Sequence, residues 1–230
     1  MIPTVLIPGL ICTAELFSPQ IPALWPFGPV TVANTLGGAS IAEIARSILE
    51  NAPDRFALAG LSMGGYVALE IIRQAPERVL KLALLDTTAR PDAPEQSRLR
   101  RAMISKAQSG GYDEVLAQTI PNLVHPSRRT DAELIQIQTR MGQEIGVEGF
   151  SRQQDAIMGR IDQRPNLAAI TVPTLVLVGD KDALTPPDRA KEMADAIAQA
   201  RLVIVEDCGH LSTLERPRAV NEALSVWLNG

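Results

Sequence analysis

Phe56-Ala-Leu-Ala-Gly60-Leu-Ser62-Met-Gly64-Gly-Tyr-Val-Ala68 reads as a strand, a sharp turn and the opening of a helix. Phe56 to Ala59 is a short apolar run, and beyond Gly64 the residues Val67, Ala68, Ile71, Ile72 and Ala75 share one face at helical spacing. The turn between them, Gly60 to Gly64, puts Ser62 in strained backbone geometry, flanked by glycines that let neighbouring segments come close. Such a turn lifts the hydroxyl above a sheet edge and presents it as a nucleophile. Gly65 lets the helix lie close against that sheet. The same residues also describe an ordinary tight turn with a capping serine, so the rest of the chain has to decide.

Outward from this stretch, strands and helices alternate. Thr4–Ile7 is a continuous apolar run between Pro3 and Pro8-Gly9, as expected of a strand buried on both faces of a parallel sheet. Pro29–Ala33, Arg78–Leu85, Thr174–Val178 and Leu202–Val205 are further strands. Ser40-Ile-Ala-Glu43 has the spacing of a capping box and opens a helix to about Glu50. Two more helices are expected, from Pro187 to about Ala198 and through Trp227. Residues 12–28, interrupted by Pro19, Pro22 and Pro26, read as an irregular loop with at most a short helix at 17–23. Repeated βαβ units predict an α/β fold, a mostly parallel sheet of about six strands with helices on both faces. Between residues 91 and 165 the strand signal stops. Helices are expected there at 95–108, 112–119, 131–144 and 148–161, with Leu134, Ile137, Met141 and Ile145 at helical spacing. The expected organisation is therefore a core of 1–90 and 166–230 carrying a helical insertion, 91–165. The insertion has ten acidic and ten basic residues, so its overall charge points to no charged substrate.

Composition narrows the partners. With 230 residues, 46% of them hydrophobic, one substantial core is expected. The net charge of −4 and pI near 5.3 argue against a surface built for nucleic acid or an anionic membrane. No apolar run reaches the length needed to span a bilayer, and the N-terminus lacks the basic and cleavage regions of a leader, so a cytoplasmic protein whose fold starts at once is expected. Cys12 and Cys208 show no C-x-x-C spacing and are read as small apolar residues. There is neither a P-loop nor a G-x-G-x-x-G, and the chemistry proposed for Ser62 calls for no metal or organic cofactor.

A serine needs a base to take its proton, and the chain has two histidines. His125 lies in the insertion before Pro126 and suits a surface or capping role. His210 follows the strand 202–205 in a Gly-His turn, at the carboxyl edge of the sheet where α/β sites form. The base in turn needs an acid to fix its tautomer. Asp182 lies at the same edge after strand 174–178, Asp180 is too close to the strand, and Asp86, at the end of strand 78–85, is the reserve. Glu206 and Asp207 are adjacent in sequence but point away in an extended segment. An oxyanion formed at Ser62 would be held by the backbone N–H of Met63, at a helix start, and of Leu10, after the turn at Gly9.

The order Ser62, Asp182, His210, with the G-x-S-x-G turn, G-x-x-D before the acid and G-H near the C-terminus, resembles the α/β-hydrolase superfamily over nearly the whole chain. Gly60-Leu-Ser-Met-Gly-Gly65 is similar to the same motif in small esterases, enol-lactonases, carbon–carbon bond hydrolases and cofactor-free haloperoxidases. Pro8-Gly9 stands where the oxyanion loop of the family usually has His-Gly, Asn34 to Ala39 replaces the usual Asp-x-x-Gly-x-Gly loop, and the common N-terminal hairpin is missing. The resemblance implies that 91–165 is a cap over the site, and that a serine hydrolase cleaves a small acyl substrate, a carboxylic ester first of all. A lactone, a carbon–carbon bond or haloperoxidase chemistry would use the same triad. The expectation from a different class is a ligand-binding protein that has kept the pocket without the catalysis.

Overall fold

The computed structural model describes residues 1–230 and contains one six-stranded sheet with every neighbouring pair parallel. Its strands are β1 (Thr4–Ile7), β2 (Val30–Val32), β3 (Phe56–Leu61), β4 (Val79–Leu85), β5 (Thr174–Gly179) and β6 (Ala200–Val205), in the order β2-β1-β3-β4-β5-β6. The order reverses at β1/β3, so β3 sits in the interior of the sheet, and all its residues are buried. That is why its sequence is a run of apolar residues rather than an alternation.

Successive side chains on each strand feed two separate cores. Leu58, Leu82, Leu84, Val176 and Val178 pack with α2 (Ile41–Asn51), α3 (Met63–Gln74) and α7 (Pro187–Ala196) on one face. Ala57, Ala59, Leu61, Ala83 and Leu177 face the other way, against α1 (Gln20–Leu24) and α9 (Pro217–Asn229), whose Val220, Leu224 and Trp227 are buried there. The loop expected at 12–28 is more regular than its prolines suggest, because they occupy the first turns of short helices, where no N–H is needed. Ser40 caps α2 through the Glu43 N–H, while the Glu43 carboxylate accepts from Ala39 N–H at 2.9 Å, one residue beyond the box expected.

Between β4 and β5 the chain is helical: α4 (Pro94–Lys106), α5 (Tyr112–Thr119) and α6 (Ala132–Met158). The two helices expected at 131–144 and 148–161 are the halves of α6. They meet at Gly146, whose φ of 69° breaks the helix while keeping the chain continuous. A small third cluster, with Ile11, Tyr112, Leu116 and Phe150, joins these helices to the loop after β1. A short helix, α8 (Ser212–Glu215), lies between the end of β6 and α9. No helix is long and apolar enough to cross a membrane.

The start of α3 is held against β1 at backbone distance. A Cβ on Gly64 would sit 2.0 Å from the Ile7 carbonyl oxygen, and one on Gly65 would sit 2.4 Å from Thr87 Oγ1. Gly64→Ala is therefore expected to lower stability by about 3 kcal/mol, read as a drop in the urea midpoint at constant slope. An unchanged midpoint would mean that the helix shifts freely and that the close packing has no role.

Candidate active site

Ser62 lies between β3 and α3, at φ 56° and ψ −116°, a conformation few non-glycine residues adopt. Backbone hydrogen bonds hold it there: Ser62 N–H donates to the Leu85 carbonyl at 2.9 Å, and Thr87 Oγ1 donates to the Ser62 carbonyl at 2.7 Å. The strain is thus balanced by the end of the neighbouring strand β4.

Three carboxyl-edge loops converge at this point. Ser62 Oγ is 2.8 Å from His210 Nε2, and His210 Nδ1 is 2.8 Å from Asp182 Oδ2. A carboxylate only accepts, so Nδ1 carries the proton and Nε2 is free to accept from the serine. Asp182 is held by more than the histidine. Its Oδ1 accepts from the N–H groups of Leu184 and Thr185, and Thr185 Oγ1 donates to Oδ2 at 2.7 Å. Both members of the pair are buried, with 3% and 0% of the side chain exposed for His210 and Asp182.

Burial and pairing oppose each other in their ionisation. Burial disfavours the charged form of His210, but the Asp182 carboxylate beside it outweighs burial, and the imidazole is held above its ordinary pKa. Burial also acts against the Asp182 anion, yet the charge and hydrogen bond of His210, with the Thr185 donors, hold it below the usual carboxylate range. A base hydrogen-bonded to a hydroxyl on one side and an anion on the other can remove the serine proton and keep the resulting imidazolium in place.

The turn after β1 passes directly beside the serine, where a Cβ on Gly9 would lie 3.4 Å from Ser62 Cβ. It is tight, with Cys12 N–H donating to the Gly9 carbonyl at 3.2 Å and Ile11 at φ 54°. The Leu10 N–H in its middle has no acceptor in the chain. The Met63 N–H begins α3, where the helix itself offers no acceptor four residues back.

The other candidates are placed elsewhere. Asp86 is fully buried, accepting from Gly179 N–H at 3.0 Å and from the Ser212 hydroxyl. Burial and the nearby Asp182 charge push its carboxyl up to about 8. Asp180 accepts from Cys208 N–H at 3.1 Å. His125 Nδ1 accepts from Ser127 N–H and so caps the turn 126–128. Cys12 and Cys208 are buried and unpaired, and burial pushes the Cys12 thiol up to about 12 and that of Cys208 higher still. Neither is a thiolate near neutral pH.

Several positioning groups were not foreseen. Thr185 stands three residues after Asp182, in a turn of the kind where an aspartate accepts from the backbone N–H two residues on; that backbone contact was readable, and the Thr185 hydroxyl bond was not. Glu215 was not readable: its carboxylate accepts from Gly209 N–H at 2.9 Å and from His125 N–H at 2.8 Å, tying the histidine loop to the insertion. His210 N–H adds a third tie, to the Leu123 carbonyl at 3.0 Å. Gln153, on α6, accepts from Ile11 N–H at 3.0 Å across 142 residues of sequence, a contact no local pattern announces.

The sequence model of the Alpha/beta hydrolase family matches residues 5–223 of this chain. A thermophilic esterase from Thermogutta terrifontis superimposes with a TM-score of 0.90 at 31% identity, covering 100% of this chain and 90% of that one. The enol-lactonase of Burkholderia xenovorans LB400 gives a TM-score of 0.89 at 26% identity, covering 99% and 91%. In sequence, the pimeloyl-[acyl-carrier protein] methyl ester esterase of Nitrosomonas europaea is 29% identical over 201 residues, 77% of this chain and 73% of its own length.

Proposed function

The chain belongs to the alpha/beta hydrolase family, and on that footing we propose that it is a serine hydrolase of small carboxylic esters that works through an acyl-enzyme. The observation that carries this reading is the unbroken line Ser62 Oγ, His210 Nε2, His210 Nδ1, Asp182 Oδ2, with 2.8 Å at both of its hydrogen bonds. In the proposed sequence, Ser62 Oγ attacks the ester carbonyl while His210 takes its proton. The negative charge that develops on the carbonyl oxygen is received by the N–H groups of Leu10 and Met63, the latter at the positive end of α3. His210 then gives its proton to the departing alcohol. Water, deprotonated by the same histidine, attacks the acyl carbon and frees Ser62.

Substrate choice is assigned to residues 91–165 as the cap. In support, α6 reaches the Leu10 side of the serine through Gln153, and Leu123 reaches the histidine side. A lactone is the second reading, favoured by the similarity to an enol-lactonase. Ring opening needs the same acyl-enzyme, and parallel assays of p-nitrophenyl acyl esters and lactones rank the two.

The test of the reading is covalent. A fluorophosphonate probe should add its phosphonyl mass to the peptide carrying Ser62 and to no other. Absence of labelling in the folded protein overturns the hydrolase reading in favour of a binding role. The rate should also follow the ionisation of His210. Only the neutral imidazole acts as base, and its pKa is raised, so kcat/KM should fall on acidification with a midpoint above the ordinary histidine value of about 6.5. A midpoint below that value would contradict the pairing with Asp182.

A further inference from the structure

Asp86, the residue that follows β4, stands at φ 44°, in the left-handed region. Aspartate tolerates that region better than most residues, but the conformation is still uphill and persists only where the surroundings hold it. They do so here: Asp86 N–H donates to the Leu177 carbonyl at 2.8 Å, and the side chain, fully buried, crosses the end of β5 to reach two loops at once. One oxygen, Oδ1, accepts from Gly179 N–H at 3.0 Å, three residues before Asp182. The other, Oδ2, accepts from the Ser212 hydroxyl and from Ser212 N–H at 3.3 Å, two residues after His210. A single carboxyl therefore bridges the loop of the acid and the loop of the base, with one oxygen for each.

These two loops lie at backbone distance, since a Cβ on Gly179 would sit 2.1 Å from the Gly209 carbonyl oxygen. Two residues before His210 they are joined by Cys208, whose N–H donates to Asp180 Oδ1 at 3.1 Å and whose carbonyl accepts from Lys181 N–H at 2.9 Å. Asp86 supplies the matching tie two residues after the histidine. Nothing local does this instead, because Leu211, the residue before α8, offers no side-chain acceptor to the start of that helix. The residues on either side of Asp86 hold the serine turn, Leu85 through its carbonyl and Thr87 through its hydroxyl. Leu85-Asp86-Thr87 thus touches the loops of all three triad residues.

Resting on the serine hydrolase reading, we propose that Asp86 is a positioning residue of the triad. Its side chain sets the spacing between the Asp182 and His210 loops, and so keeps the hydrogen bond between acid and base aligned with a serine that is fixed to the same strand end. Asp86 makes no contact with the reacting atoms, and it acts by the distance it holds between the two loops that bring them together.

The test compares Asp86→Ala with Asp86→Asn on a p-nitrophenyl ester. Both remove any charge, but asparagine keeps an oxygen for Gly179 N–H and an amide that can donate to the Ser212 hydroxyl, while alanine cuts both ties. In Asp86→Ala kcat should fall on the order of a hundredfold, the cost of about 1 Å of misplacement, with KM changed by less than about threefold; Asp86→Asn should stay within about tenfold of the parent. The pH profile gives the readout that lost stability alone does not move. His210 is faced by three carboxyl groups, Asp182, Asp86 and Glu215. The two variants lose Asp86 alike and keep Glu215, so a difference between them reports the bond to Asp182. That bond raises the imidazole, so slackening it should put the acid-limb midpoint lower in Asp86→Ala than in Asp86→Asn. The His210 ring, one of two in the chain, gives the same midpoint by NMR titration without turnover. Equal rates in the two variants, equal midpoints, or a loss confined to KM overturns the proposal. Should Asp86→Ala lack a native melting transition, Ser212→Ala, which cuts the hydroxyl tie alone, is compared with the parent, and an unchanged kcat and midpoint there overturns it too. Failure of the hydrolase reading shows separately, as a parent protein that does not take the fluorophosphonate.

Discussion

Ser62→Ala should lower kcat/KM for a p-nitrophenyl ester by on the order of a million-fold, to the residue that binding and oxyanion donors supply by themselves. The size follows from the absence of a substitute. The two thiols are buried in their protonated form, and His210 has no other hydroxyl at hydrogen-bond distance on Nε2. The fold should survive, because both bonds that hold the turn, Ser62 N–H to Leu85 and Thr87 to the Ser62 carbonyl, use backbone atoms that alanine also has. Circular dichroism and melting on the same samples separate lost chemistry from lost structure. Activity within tenfold of the parent, in a folded variant, would end the serine mechanism.

Asp182→Asn should cost on the order of ten-thousand-fold in kcat, because an amide in place of Oδ2 lets the histidine settle in the wrong tautomer and leaves its cation unsupported. The geometry of the loop should hardly change, since asparagine still offers one oxygen to the Leu184 and Thr185 amides. The test has a built-in rival. Asp86 is buried nearby at the end of β4, and a near-normal rate in Asp182→Asn would pass the acid's role to it. The present arrangement speaks against that, because both Asp86 oxygens are engaged, by Gly179 and by Ser212. Its carboxyl is also raised to about 8, by burial and by the Asp182 charge that the substitution removes. Loss of that charge should bring Asp86 closer to ionisation but not closer to the histidine.

The sheet was readable because parallel strands buried on both faces leave continuous apolar runs, of which 56–61 and 174–179 are the clearest. The convergence of Ser62, Asp182 and His210 was readable for a related reason: all three follow strands at one edge of that sheet, so topology fixes their approximate meeting place. What escaped the sequence depends on contacts between distant segments. Glu215 reaches a residue 90 positions away, and Gln153 one 142 positions away. The charge of the insertion is the sharpest case. Ten acids against ten bases suggested neutrality, yet most of those ions are at the surface, while Asp92, whose side chain is closed to water, is shared by Arg160 and the partly exposed Arg100. A sum over sequence says nothing about which charges water can reach.

The ties between the insertion and the histidine loop limit how the protein could be re-engineered. His210 hangs from the Leu123 carbonyl, and Glu215 reaches across to the His125 amide. Exchanging 91–165 for the helices of another member would therefore not be a modular graft of specificity onto a fixed machine. A donor segment that failed to bring a carbonyl and an amide to those two places would slacken the seat of His210 itself, and on the proposed mechanism the chimera would lose rate on every substrate alike.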